Sequence, residues 1–313
     1  MVGVFRRSLS FPNKNPNRPS QKPPISHHIR SISLPCRSHP LISQIKDEIN
    51  DLTIWASISK SHLQTSTNLS HGLTLLKDTH ETLRDILQLP QTRESFRSNP
   101  TWVEKLLEDF LRFVEAYGMF QTSILALKEE HSSAQMATRK RDESKVVVYL
   151  KAKKKMAKEM EKLVSGVRCV TQQHQQYGML QQVPVSLASN IEDNELGRVI
   201  ADVMSVTVSV SVALFNGIAM SFSSRRLSTW TQMIKLCRKG RRVNKEHEGI
   251  EEFQEQESLG NLKKKGDEEV RSLLKRMRDL EGCICGIETV SDKVFRALIN
   301  SRVALLNTLT LTQ

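Results

Sequence analysis

Residues 100–127 read PTWVEKLLEDFLRFVEAYGMFQTSILAL, and this stretch decides the fold. Val103, Leu106, Phe110, Phe113, Tyr117, Phe120, Ile124 and Leu127 alternate steps of three and four without a miss. That spacing gathers apolar side chains on one stripe of an α-helix. Sustained for about three and a half heptads, it is a coiled-coil-like seam. Pro100 behind Ser98 and Asn99 predicts where the helix starts, because Ser and Asn cap well and proline is tolerated in the first turn.

The same pattern extends outward in both directions. Ile42, Ile45, Ile49 and Leu52 form one stripe, and Leu69, Leu73, Leu76, Leu83 and Leu87 form another. Toward the C-terminus come Leu273, Met277, Leu280, Ile284, Ile287, Val294, Leu298 and Leu305, with Ser291 and Ser301 filling the gaps. Gly260 and Gly266 set this last stripe apart from an acidic run at 246–257. After Pro40 only Pro90, Pro100 and Pro184 interrupt the chain, and the residues between them are mostly good helix formers. Each stripe has to be buried against another. The expectation is therefore an all-α protein, an elongated antiparallel helical bundle with coiled-coil-like seams, over residues 39–313. No repeat of fixed 30–45-residue period supports a solenoid.

Residues 1–38 are different. The chain of 313 residues holds 46 Lys and Arg against 34 Asp and Glu, a net charge of +12. Residues 1–46 contain eight bases and no acid, and seven of the ten prolines fall in the first 40 residues. Removing those eight bases leaves 38 basic and 34 acidic residues, a net of +4, so two thirds of the charge belongs to residues 1–46. Its apolar residues follow no period, which predicts a disordered basic Ser/Pro-rich tail ahead of the bundle. Five cysteines, an odd number, do not make a secreted disulfide scaffold and point to a reducing compartment.

The tail carries the sharpest local motif. Arg7-Ser8-Leu9-Ser10-Phe11-Pro12 and Arg30-Ser31-Ile32-Ser33-Leu34-Pro35 share the pattern Arg-Ser-x-Ser-x-Pro. An arginine three residues before Ser10 and Ser33 suits a basophilic kinase. The phosphoserines would fit a 14-3-3 type reader, which binds phosphate through arginines. A coil of the intervening length spans roughly 25 Å, enough to bridge two pockets of one dimeric reader. The competing reading is a transit peptide, since the tail is rich in Ser and Arg and free of acid; that would place the protein in a plastid.

Two basic clusters lie in the body. One contains Lys151, Lys153, Lys154 and Lys155; the other contains Arg238, Lys239, Arg241 and Arg242. Either could meet anionic lipid headgroups or serve as a nuclear localisation signal, and either could be a solvated helix face. Aromatic residues that would stack on bases are nearly absent from both, which argues against nucleic acid. Residues 203–222 carry no charge and are long enough for a membrane span. Their Ser and Thr residues suit a buried bundle helix, and the Val-x-Val alternation also permits a strand. Cys283 and Cys285 sit about 200° apart on a helix, and His62 and His80, read as one helix face, are roughly 27 Å apart, so neither pair predicts a metal site. No catalytic constellation and no cofactor-binding motif is present.

One feature joins these segments. Ser33-Leu34-Pro35-Cys36-Arg37-Ser38-His39-Pro40 leads into a helix containing Trp55. Then come Leu87-Gln88-Leu89-Pro90-Gln91-Thr92, Trp102-Val103-Glu104-Lys105-Leu106-Leu107 and Tyr149-Leu150-Lys151-Ala152-Lys153-Lys154-Lys155. The chain closes on Phe295-Arg296-Ala297-Leu298-Ile299-Asn300-Ser301-Arg302-Val303-Ala304-Leu305-Leu306-Asn307. In this order they resemble the plant family called domain of unknown function 241, related to the Bypass proteins, over about residues 33–310. The resemblance implies a helical protein and, from the Bypass relatives, a setting in root and shoot development; it brings no catalytic residues. The expected function is a non-enzymatic interaction or regulatory protein, cytoplasmic, with protein partners and with tail phosphorylation as a switch. The alternative is a membrane-associated protein anchored through 203–222 or the adjacent basic clusters.

Overall fold

The apolar stripes close into helices whose ends fall where the prolines and capping residues place them. The computed structural model describes residues 39–59, 65–180, 191–223, 249–254 and 262–310. In order, the elements are α1 (Pro40–Ser59), α2 (Ser66–Leu87), α3 (Pro90–Ser98), α4 (Pro100–Lys140), α5 (Glu143–Leu180), α6 (Ile191–Phe222), α7 (Glu251–Gln254), a 3-10 turn (Leu262–Lys264) and α8 (Asp267–Thr310). No β-strand occurs among the described residues. The 203–222 run is helical within α6, which removes the strand reading.

Pro90 and Pro100 occupy the first turns of α3 and α4, where a missing N–H costs nothing. Asn99 does flank α4, but its side chain does not cap that helix; Nδ2 donates instead to the carbonyl of Ser95 at 3.3 Å. Between α4 and α5 the chain reverses at Arg141, whose φ of 54° is left-handed. The N–H groups of Arg141 and Asp142 return to the carbonyls of Thr138 and Ala137 at 3.2 and 2.9 Å, closing the C-terminus of α4. The Asp142 carboxylate then accepts from the Ser144 N–H at 3.1 Å and hydroxyl at 2.6 Å, starting α5.

Cross-links between helices fix the directions. Leu107, Gln121, Lys128 and His131 of α4, and Arg141 just past its C-terminus, meet Arg302, Ser291, Glu288, Met277 and Asp267 of α8 in turn, so α4 and α8 are antiparallel. Trp55 Nε1 donates to the carbonyl of Asn68 at 3.0 Å, and Gln44 Nε2 to Thr82 Oγ1 at 3.1 Å, which makes α1 and α2 antiparallel. Leu69 lies against Gly217 and His80 against Thr207, so α2 and α6 are antiparallel as well. At 1.5 Å per residue, the 41 residues of α4 and the 44 of α8 each run for about 60–65 Å.

The core is the set of stripes. All eight seam residues from Val103 to Leu127 are buried, as are the gap-filling Ser291 and Ser301. Gly72 is required by one close approach: a Cβ there would lie 2.4 Å from the Trp55 ring. The tail, with Ser10 and Ser33, and the cluster Arg238, Lys239, Arg241 and Arg242 lie outside the described residues. So does His62; the described parts of α1 and α2 end and begin on either side of it.

Candidate interaction surface

The sequence of α5 sorts its lysines into two groups. Lys151, Lys154, Lys155, Lys158 and Lys162 follow helical spacing and are exposed. They form a stripe about 17 Å long at 1.5 Å per residue. Glu159 and Glu161 flank it, and Lys155 reaches Glu159 at 3.8 Å. At its N-terminal end two large apolar side chains, Val147 and Val148, are each 47% exposed.

Lys153 does not belong to this surface, which corrects its placement in the basic patch. It stands two residues from both Lys151 and Lys155, about 200° around the helix, and is only 7% exposed. The sequence holds the signal: Val146, Tyr149, Lys153, Met156, Met160, Leu163, Val167 and Val170 alternate steps of three and four, and every other member is buried apolar or aromatic. Lys153 occupies a seam position. Its ammonium lies 4.6 Å from the centroid of the Phe222 ring and 5.8 Å from that of Tyr149. Burial pushes its pKa down to about 8.

One turn back along α5, Tyr149 meets a buried histidine. The carbonyl of Met277 accepts at 2.8 Å from His131 Nε2–H, so Nδ1 is the free lone pair and accepts from the Tyr149 hydroxyl at 2.9 Å. Burial is the main cause that lowers the His131 pKa, and the Met277 carbonyl opposes it. A second polar line crosses the core from α2 to α6. Thr207 Oγ1 donates to the carbonyl of Val203 at 2.7 Å and accepts from His80 Nε2 at 3.0 Å. Ser211 donates to the Thr207 carbonyl at 2.7 Å, and the Tyr117 hydroxyl donates to Ser211 at 3.2 Å. His80 Nδ1 has no hydrogen-bond partner. Burial pushes the His80 pKa down to about 3 and holds the Tyr117 phenol above its usual range.

The residues that sequence reasoning missed are at 249–254. Gly249, at a φ of 126° that favours glycine, turns the chain onto the bundle where the C-terminus of α6 meets the N-terminus of α2. The Ile250 N–H donates to Ser221 Oγ at 2.7 Å, and its side chain reaches the gap left by Gly217. The Glu252 carboxylate accepts from the Ser66 N–H at 3.0 and 3.1 Å and from its hydroxyl at 2.7 Å, at the positive end of α2. Phe253 stacks on Phe222, centroids 5.3 Å apart and planes within 8°. Ile250 and Phe253 are fully buried. Burying them gains about 1.5–3 kcal/mol each, and the carboxylate bonds about 1.5–3. Ordering six residues costs about 1–2 kcal/mol apiece, so gain and cost are of one size. Only the Ile250–Phe253 spacing hinted at this inside an acidic run.

α6 is, by length and composition, able to cross a membrane; 67% of its apolar window is buried in the bundle. Cys169 is exposed, Cys283 and Cys285 are partly buried, and Cys36 and Cys237 lie outside the described residues. Among the described residues no three His, Cys, Asp or Glu side chains gather as metal ligands would.

These elements define an all-α bundle protein with a lysine-faced helix and a short turn sealing one junction of its helices. The chain belongs to the family described as Protein BPS1, which matches residues 72–308, from within α2 to the last turn of α8. This bears out the resemblance read from the order of its sequence motifs. No curated protein and no solved structure matches the chain.

Proposed function

We propose that this chain is a non-enzymatic interaction protein of plant root and shoot development, working in the cytoplasm. The observation that carries the reading is the exposed face of α5, where Lys151, Lys154, Lys155, Lys158 and Lys162 align while the one lysine of the seam turns inward. Five aligned cations attract an acidic partner surface over about a Debye length. Family membership supports the developmental setting. Phosphorylation of Ser10 and Ser33 would reverse the charge of the tail locally and select partners, including a 14-3-3 type reader. No cofactor, metal or nucleic acid enters this reading.

The test is partner capture from plant extract with the full chain. The triple variant Lys154→Glu, Lys158→Glu, Lys162→Glu should keep its helical signal and lose the acidic partners. The pair Ser10→Ala, Ser33→Ala should lose any phosphate-dependent one. Unchanged capture by both variants would remove the proposal.

A second reading has its own support. α6 is apolar enough to span a bilayer, and Val147 and Val148 are exposed beside Lys151. Carbonate extraction separates the two: an integral span stays in the pellet, whereas a peripheral contact is released.

A further inference from the structure

The turn at 249–254 is held by features that α2, α5 and α6 possess without it. Ser221 Oγ donates to the carbonyl of Gly217 at 2.7 Å and keeps a lone pair for an incoming N–H. The Ser66 N–H belongs to the unpaired first turn of a 22-residue helix, and its hydroxyl stands beside it. Gly217 leaves the space that Ile250 Cγ1 enters; a Cβ there would lie 3.4 Å from it. Phe222 offers a ring face, backed on its other contacts by the Lys153 ammonium. The receptor therefore offers one apolar notch, one carboxylate site at the positive end of α2 and one aromatic platform. Its present occupant supplies the complement within a single turn: an apolar residue, a carboxylate two positions later and an aromatic ring at the third.

We propose that this junction is a docking site for a short acidic–aromatic turn of a partner protein, with 249–254 as its resident and displaceable occupant. The occupant has the marks of an exchangeable ligand. It is six residues long, its anchors are three side chains and one N–H, and its gains and ordering cost balance. An intramolecular ligand acts as a competitor at high effective concentration, so a partner must carry the same three groups in the same order to displace it. Glu252 supplies the charge selectivity, because an amide in its place brings no charge to the N-terminus of α2. This inference is independent of the lysine face of α5; its failure leaves the charge-reversal and capture results as they are.

The probe is a labelled peptide with the sequence of residues 246–257, titrated against the full chain by fluorescence polarisation. It should bind the double variant Ile250→Ser, Phe253→Ser at least tenfold more tightly than the wild-type chain, in which the site is filled. The same peptide carrying Glu252→Gln should bind that variant at least tenfold more weakly. Equal affinity for the two proteins, no binding to a variant with unchanged circular dichroism, or equal binding of the Gln peptide would each overturn the proposal. Should the double variant fail to fold, hydrogen exchange on the wild type decides. The Ile250 amide should exchange at least a hundredfold faster than the core amides of α6; exchange only with those amides would mean the turn never leaves.

Discussion

The ammonium of Lys153 lies 4.6 Å from the centroid of the Phe222 ring, inside a seam whose other members are apolar or aromatic. Burial lowers its pKa from 10.5 to about 8, so between those values the unfolded chain holds a proton that the folded chain has released. Stability therefore rises with pH across the window from about 8 to 10.5, by about 3 kcal/mol in all. Lys153→Met should lose that rise and be more stable than wild type at pH 7 by about 1–3 kcal/mol, since a buried charge is exchanged for a side chain of similar shape. Urea unfolding from pH 7 to 10.5 measures both effects.

His80 gives a second window of the same sign in acid. Burial depresses its folded pKa from 6.5 to about 3; Nε2–H already donates to Thr207, and Nδ1 has no hydrogen-bond partner to receive a second proton's bond. The stability it contributes is complete above pH 6.5 and is lost as pH falls toward 3, on the order of 5 kcal/mol across the window. His80→Gln should start from a lower stability at pH 7 and show a flatter decline between pH 6.5 and 4. A parallel decline in the two proteins would show that other groups control acid unfolding.

Gly72→Ala sets helix propensity against sterics. Alanine gains about 1 kcal/mol over glycine inside a helix. Here the new methyl would meet the Trp55 ring at 2.4 Å, and the ring is tied to Asn68 through Nε1 at 3.0 Å. The clash should win, with a net loss of about 1–3 kcal/mol in chemical unfolding. A red-shifted tryptophan emission would show Trp55 displaced; a stabilised variant would show that the ring moves freely.

Two tyrosines should respond differently to loss of their hydroxyls. Tyr149→Phe leaves His131 Nδ1 buried without its donor, a penalty of about 1–3 kcal/mol. Tyr117→Phe removes a donor from Ser211, whose own hydroxyl still bonds to the Thr207 carbonyl, so the cost should be about 0.5–1.5 kcal/mol. Equal losses in thermal unfolding would contradict the donor assignments.

The bundle was legible because a 3–4 step is a geometric statement about which side chains share a face. Val103 to Leu127 needed nothing else, and even Ser291 and Ser301 proved buried because they stood in register. Lys153 shows composition and register in conflict: four lysines in five residues look like one patch until the Val146–Val170 steps are counted. The docking of 249–254 was out of reach, since Ser66, Ser221 and Glu252 are brought together only by the folded chain. Asn99 shows the limit of local rules. It stands at the expected cap, yet its side chain serves the preceding helix.

The hydroxyls of α6 have a consequence for how the chain is handled during its synthesis. Thr207, Ser209, Ser211 and Ser221 each donate to the carbonyl four residues back, so the helix satisfies these polar groups without any neighbour. Such a helix is as compatible with lipid as with a protein interior, and its neighbours decide its fate. α1 and α2 leave the ribosome before it and cover part of its apolar side. A chain beginning at Pro100 would emerge with that side bare and should partition onto microsomes in cell-free translation, whereas the full chain should stay in the aqueous phase. The first two helices would then act as an internal chaperone for the sixth.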